Sequence, residues 1–99
     1  MLEIRTIPDG HKLTVALSGR LDTITSPDLE KCLADSLQGV TELIMDFAGL
    51  DYISSAGLRV LLMSQKTMTG KGSMKVIHVQ DPIMEVLEVT GFSEILSIE

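Results

Sequence analysis

Two stretches near the start of the chain carry apolar side chains at every second position. Residues 2–7 and 12–18 both show this alternation, which is typical of strands with one buried face. Between them, Pro8-Asp9-Gly10 has the composition of a tight turn. The two stretches therefore predict an antiparallel β-hairpin.

Apolar residues recur at helical spacing further along. Leu29, Leu33 and Leu37 lie on one helical stripe, and Ser26-Pro27 before them is typical of an N-cap followed by the first helical residue. Strands are predicted over 41–47 and 74–79, helices from Ser54-Ser55 to Gly70 and from Asp81-Pro82 to Gly91, and a connection over 48–53. The tail from Phe92 to Ile98 fits either a last strand or a helical turn.

The order of these elements is β-β-α-β-α-β-α. Helices as crossovers between strands predict an α/β fold with a mixed sheet, formed by residues 1–99 as a single domain. The strands at 12–18 and 41–47 carry small or polar residues on one face. We therefore expect the helices to pack mainly on the other face.

Charge and cysteine content limit the partners. Eight basic residues against fourteen acidic ones give a net charge of −6, which disfavours binding to nucleic acid or directly to an anionic membrane. Cys32 is the single cysteine, so neither an internal disulfide nor a cysteine-based zinc site can form. No long apolar segment or signal-peptide pattern is present, and we expect a cytoplasmic protein that is a monomer on its own.

Signals for catalysis and metal binding are weak. His11 and His78 are the only histidines, and no serine lies in a Gly-x-Ser-x-Gly motif. Residues 70–73 (Gly-Lys-Gly-Ser) follow a predicted helix and precede a strand, the reverse of a phosphate-binding loop. The carboxylates of the loops are scattered, at Asp22, Asp46, Asp51 and Asp81. The sequence predicts no enzyme, no metal site and no cofactor.

The junction at Ser54-Ser55 is more informative. One serine suffices to cap a helix, yet two stand in succession where a strand leads into the second helix. A phosphate there would meet free backbone N–H groups and the positive end of the helix dipole. It would also add about −1.5 to −2 charges to an acidic protein, enough to change a binding surface.

Two motifs carry a resemblance to a known family. The stretch Tyr52-Ile53-Ser54-Ser55-Ala56-Gly57-Leu58 resembles the signature of the STAS domain, as in bacterial anti-sigma factor antagonists. Leu17-Ser18-Gly19-Arg20-Leu21-Asp22 is similar to the second marker of that family, a strand that runs into a Gly-x-Leu-Asp loop. The order of elements also matches, so the resemblance covers nearly all of the chain.

The resemblance implies a non-enzymatic protein that regulates a sigma factor by partner switching. The unmodified form binds an anti-sigma factor that is also a serine kinase, phosphorylation ends the complex, and a serine phosphatase restores it. The acceptor lies two residues before Gly57, which is Ser55 here. Ser54 stands where many relatives have aspartate, and it remains the second candidate acceptor. Gly57 itself is expected to be structural, because it lets the helix approach the sheet closely.

The resemblance also suggests a partner-binding surface and a rival function. The residues expected there are Asp22, Thr23, Ile24, Ser54 and Arg59. Arg59 stands where many relatives have glycine, and it could pair with an acidic partner or a nearby phosphate, or be a plain exposed arginine. The rival is a STAS subunit of a membrane transporter complex that is not phosphorylated.

Overall fold

The chain folds into a four-stranded sheet with three α-helices, and the computed structural model describes residues 1–99. This architecture confirms the predicted mixed α/β fold and its order of elements. The elements are β1 (Leu2–Asp9), β2 (Lys12–Leu21), α1 (Ser26–Ser36), β3 (Glu42–Ile53), α2 (Ser55–Thr69), β4 (Ser73–Ile77), α3 (Asp81–Val89) and a 3-10 turn (Phe92–Glu94).

The strands lie in the order β1-β2-β3-β4. β1 pairs with β2 in antiparallel fashion, whereas β2 with β3 and β3 with β4 are parallel. Of the two structures predicted for the tail, the helical turn forms, and the last strand is reduced to a single bridge. After the 3-10 turn, Ile98 makes a parallel bridge to Val76, whose N–H donates to the Ser97 carbonyl at 2.8 Å.

One hydrophobic core lies between the sheet and the helices. It contains 22 buried residues and draws on the three α-helices, on strands β2, β3 and β4 and on Leu96 of the tail. In β2, Leu13, Val15 and Leu17 face this core, whereas Thr14 and Ala16 on the opposite face are only half-buried. Each fully buried aliphatic side chain stabilises the fold by about 1.5–3 kcal/mol relative to exposure. The helices thus cover one face of the sheet, as the pattern predicts.

The two central strands run further than the sequence predicts. Ser18 and Phe47 are the predicted ends of β2 and β3, with residues 48–53 as a connection, and both predictions are wrong. β2 continues to Leu21 and β3 to Ile53, and these last residues pair with each other. The extension matters because it sets the two strand ends side by side directly before α2.

Irregular pairing explains why the alternation of apolar residues does not predict this extension. The register of β2 against β3 shifts between Ala16 and Ser18 and again between Gly19 and Arg20, which interrupts the period of two. Gly19 has a φ of +104°, and a Cβ there would lie 2.1 Å from the Met1 carbonyl oxygen. Only glycine fits this close approach of two backbones.

The hairpin turn lies later than predicted. Pro8 and Asp9 belong to β1, Asp9 pairs with Lys12, and the turn is made by Gly10 and His11. A proline is tolerated there because β1 is an edge strand. Gly10 takes the positive φ, +63°, that this tight turn requires.

The prediction of Ser26 as the N-cap of α1 is also wrong. Ser26 is the first residue of the helix, and its hydroxyl donates to the Asp22 carbonyl at 2.5 Å. The residue before it, Thr25, makes no side-chain cap. Instead, the Asp22 carboxylate accepts the N–H groups of Ile24 and Thr25, which holds the loop before α1 and leaves the helix without a side-chain cap.

β4 is shorter than predicted. The sequence predicts a strand over 74–79, but β4 ends at Ile77 and His78 has a φ of +58°. The change of backbone direction leaves the imidazole exposed, with Nδ1 2.9 Å from Asp46 Oδ1. Histidine tolerates this conformation better than a branched side chain does.

α2 begins and ends as the sequence predicts. It runs from Ser55 to Thr69, directly before Gly70, and is the longest of the helices at 15 residues. No helix in the structure has both the length and the apolar character needed to cross a bilayer.

Candidate functional site

The candidate site lies where β2 and β3 end and α2 begins. Leu21 and Ile53 are paired neighbours at the ends of the two strands, and the Ser54 N–H donates to the Leu21 carbonyl at 2.9 Å. This bond joins the start of α2 to the start of the loop over 22–25. The two sequence motifs, far apart in the chain, are therefore adjacent in the fold.

Ser54 and Ser55 have different surroundings. Ser54 has an extended backbone and is the N-cap of α2, and its Oγ accepts the Gly57 N–H at 3.3 Å. Ser55, the first residue of the helix, is exposed, and its hydroxyl makes no hydrogen bond within the chain. The oxygen of Ser54 thus holds the start of the helix, whereas the Ser55 side chain is exposed and has no hydrogen bond to lose.

Gly57 lets α2 start close against the strand ends. A Cβ at this position would lie 2.8 Å from Leu21 Cγ and 3.0 Å from Ile53 Cγ1. Such distances require the neighbours to move, so a larger residue would displace the first turn of the helix. Gly57 therefore positions Ser55 relative to both strands.

The Asp22 carboxylate organises the loop beside Ser54. Its Oδ1 accepts the Thr25 N–H at 2.9 Å, the Ile24 N–H at 3.0 Å and the Thr25 hydroxyl at 3.1 Å. The Thr25 N–H is the main reason why the pKa of Asp22 lies below its ordinary value, and these bonds outweigh the opposing effect of burial. Asp22 thus acts on this surface mainly by shaping the loop.

The shaped loop presents an apolar side chain to solvent. Ile24 is 84% exposed, and Thr23 beside it is exposed as well. Thr25 is buried, and its hydroxyl donates to the Arg20 carbonyl at 2.7 Å. Because the loop backbone is held on both sides, Ile24 is displayed on a defined support, which favours contact with a partner protein.

Arg20 and Tyr52 belong to the site although sequence reasoning assigned neither a role. They are paired neighbours at the ends of β2 and β3, and Arg20 Cζ lies 4.0 Å from the centre of the Tyr52 ring. Arg20 Nε is also 3.8 Å from Asp22 Oδ2. Arg20 lies in the sequence motif over 17–22 and Tyr52 in the motif over 52–58, but only the strand register reveals that their side chains stack.

Arg59 lies one helical turn after Ser55. It lines a surface hollow of about 250 Å³ between the loop, α1 and α2, together with Thr23, Ser26, Pro27, Glu30, Ala56 and Val60. Arg59 forms no ion pair in the structure, unlike Arg20 and Lys75. The structure therefore brings together all five residues expected at the partner surface around the start of α2.

The two histidines lie apart from this site. His11 Nδ1 is 3.1 Å from the Gly39 carbonyl at the other end of the sheet, and His78 contacts Asp46 in the middle of it. Neither histidine contacts Ser55. No three His, Cys, Asp or Glu side chains are grouped so that they could hold a metal ion.

The chain is similar in sequence to a protein named as an anti-sigma factor antagonist. The chain is 33% identical over 88 residues to the "Putative anti-sigma factor antagonist BtrV" of Bordetella bronchiseptica. The aligned region covers 87% of this chain and 76% of that protein. This name describes a regulator, in agreement with the prediction that the chain is not an enzyme.

Solved structures show the same fold at low sequence identity. An anti-sigma factor antagonist from Mycobacterium paratuberculosis superposes with a TM-score of 0.89 at 18% identity, over 99% of this chain and 85% of that one. SpoIIAA of Bacillus in its phosphorylated form gives a TM-score of 0.75 at 15% identity, over 100% of this chain and 91% of that one. The family model of the STAS domain matches residues 2–99. The chain is a member of the STAS domain family.

Proposed function

We propose that this protein is an anti-sigma factor antagonist that works by partner switching, with Ser55 as the phosphoacceptor. Its unphosphorylated form binds an anti-sigma factor that is also a serine kinase. The observation that carries the proposal is the contrast between the two serines. Ser54 Oγ is occupied in the helix cap, whereas the Ser55 hydroxyl is exposed and unbonded. The names of the relatives support the regulatory role.

The chemistry of the switch is a phosphoryl transfer from ATP held by the partner. Ser55 Oγ bonds to the γ-phosphorus, the bond between that phosphorus and the leaving ADP oxygen breaks, and the hydroxyl proton passes to a base of the kinase. A separate serine phosphatase hydrolyses the ester with water and restores the hydroxyl. The chain itself supplies no base, so the kinase supplies the catalytic groups.

The effect on binding follows from charge and position. The phosphate adds about −1.5 to −2 charges at pH 7. It does so at the start of α2, beside the exposed Ile24 and the loop held by Asp22. The surface fits the partner when this charge is absent. Once the phosphate is present, binding would have to strip water from it, so the complex dissociates. The protein works in this proposal as a cytoplasmic monomer that contacts neither nucleic acid nor a membrane.

The test is intact-mass and fragment-mass spectrometry of the chain isolated from its native cells. We expect an adduct of about 80 Da on Ser55, the mass of one added phosphoryl group. Ser55→Ala abolishes the adduct, whereas the matched variant Ser54→Ala keeps it and loses about 1 kcal/mol of stability, because only the helix cap is removed. An adduct retained in Ser55→Ala would contradict the assignment. Unmodified protein that co-purifies with a transporter ATPase would support the transporter subunit instead.

A further inference from the structure

We infer that Arg59 binds the phosphate on Ser55 within the same helix, and so serves as a positioning residue for the phosphorylated state. This inference rests on the proposed function, because it takes Ser55 as the acceptor. Its consequence is that phosphorylation adds an anion to the partner surface and at the same time removes the free cation from it.

The spacing of the two residues supports this contact. Ser55 opens α2, and Arg59 follows it by four positions on the same helix. Side chains at i and i+4 lie on one face, with Cβ atoms about 5–6 Å apart. An anion on the N-terminal side of a cation is the favourable orientation of such a pair. Both residues are exposed, so neither side chain has to leave the core to reach the other.

Arg59 is also free to take a new partner. Arg20, the other arginine near the site, already stacks on Tyr52 and lies 3.8 Å from Asp22. Arg59 has no carboxylate within ion-pair distance, although Glu30 lines the same hollow. A guanidinium offers planar, paired N–H donors that fit phosphate oxygens, and a phosphate carries about −1.5 to −2 charges at pH 7.

The hollow gives the guanidinium room to move. Its volume is about 250 Å³, and it separates α2 from the loop that carries Thr23. The Ser26 hydroxyl, another polar group of its wall, is already bonded to the Asp22 carbonyl. Arg59 can therefore turn towards Ser55 without breaking a hydrogen bond or an ion pair of the unmodified protein.

The experiment installs phosphoserine at position 55 of the full chain during synthesis, so that no kinase is needed. The 31P resonance is titrated with pH in the otherwise unchanged protein, in Arg59→Gln and in the matched control Lys66→Gln, which removes an exposed cation further along α2. A nearby cation favours the doubly charged phosphate. We expect the titration midpoint to rise by about 0.3 pH unit in Arg59→Gln and not in Lys66→Gln.

A second readout reports on the arginine directly. The Nε–H signal of Arg59 in a 1H–15N spectrum should shift when Ser55 carries phosphate, and the shift should shrink at high salt. Equal midpoints in all three proteins, with an unmoved Arg59 signal, would overturn the inference. Because the phosphate is built in, this result is separate from whether cells phosphorylate Ser55, which the mass spectrometry above decides.

Discussion

The carboxylate of Asp22 accepts the backbone N–H of Thr25 at 2.9 Å, and the Thr25 hydroxyl in turn lies 2.9 Å from the Asp22 N–H. Asp22 and Thr25 are thus hydrogen-bonded to each other at the two ends of the loop over 22–25. This loop carries Ile24 and ends at the first residue of α1. The relationship gives the site a rigid border that does not depend on a partner.

Replacing Asp22 tests this border. In Asp22→Ala, the N–H groups of Ile24 and Thr25 lose their acceptor, so the unfolding midpoint in urea falls and the Thr25 amide exchanges faster with deuterium. Asp22→Asn keeps an acceptor oxygen, so its unfolding midpoint and its exchange rate at Thr25 should lie between those of wild type and Asp22→Ala. Asp51→Ala, an exposed aspartate with no side-chain hydrogen bond, is the control and should change neither measurement.

Acid should remove the contribution of Asp46 to stability. Burial opposes its ionisation, but the Ala48 N–H and His78 outweigh that effect, so the pKa of Asp46 lies below its ordinary value of 3.8. A carboxyl whose pKa is lowered by folding stabilises the native state above its unfolded pKa and loses that effect as pH falls through its folded pKa.

The measurement for Asp46 is urea unfolding of wild type and Asp46→Asn at a series of pH values. We expect wild type to be the more stable at pH 5 and above, and the difference to shrink as pH falls below 3.8. A difference that stays constant over this range would show that the charge of Asp46 contributes nothing.

Gly57→Ala should destabilise the fold despite the better helix propensity of alanine. Its Cβ would lie 2.8 Å from Leu21 Cγ, and overpacking of this kind costs about 1–3 kcal/mol. Gly70→Ala is the matched control, because its Cβ would meet only the Thr67 carbonyl oxygen, at 3.7 Å. Chemical unfolding of both variants checks this, and an equal effect at the two glycines would contradict the packing role of Gly57.

Ile24→Ala should leave stability within about 0.5 kcal/mol of wild type, because the side chain is 84% exposed. If Ile24 contacts the kinase, the fraction of chain phosphorylated on Ser55 in cells falls several-fold, as for an interface hot spot. Val89→Ala, which alters an 80% exposed side chain on α3, should leave this fraction unchanged. The same mass spectrometry measures all three proteins, and an unaltered fraction in Ile24→Ala would place the contact elsewhere.

Local pattern was enough to find most of the architecture. Alternation in β1 and β2 and the apolar stripes of the helices follow the two periods that side chains obey, so the order of elements and the mixed sheet were predictable. The start of α2 at Ser54-Ser55 was predictable as well, since a serine cap acts over three residues. The roles of Arg20 and Tyr52 were not, because they depend on pairing between distant strands.

The amino-acid sequence by itself determined the fold class, the acidic surface and the pair of serines at a helix start, because each depends on composition or short-range spacing. Only the tertiary structure decided which serine hydroxyl stays unbonded, that the Asp22 carboxylate holds the loop before α1, and that Arg59, one turn after Ser55, forms no ion pair. The physical reason is that hydrogen bonds and ion pairs form between whichever groups the fold brings within reach. At this site the reach was set by two register shifts between β2 and β3, which no local pattern reveals.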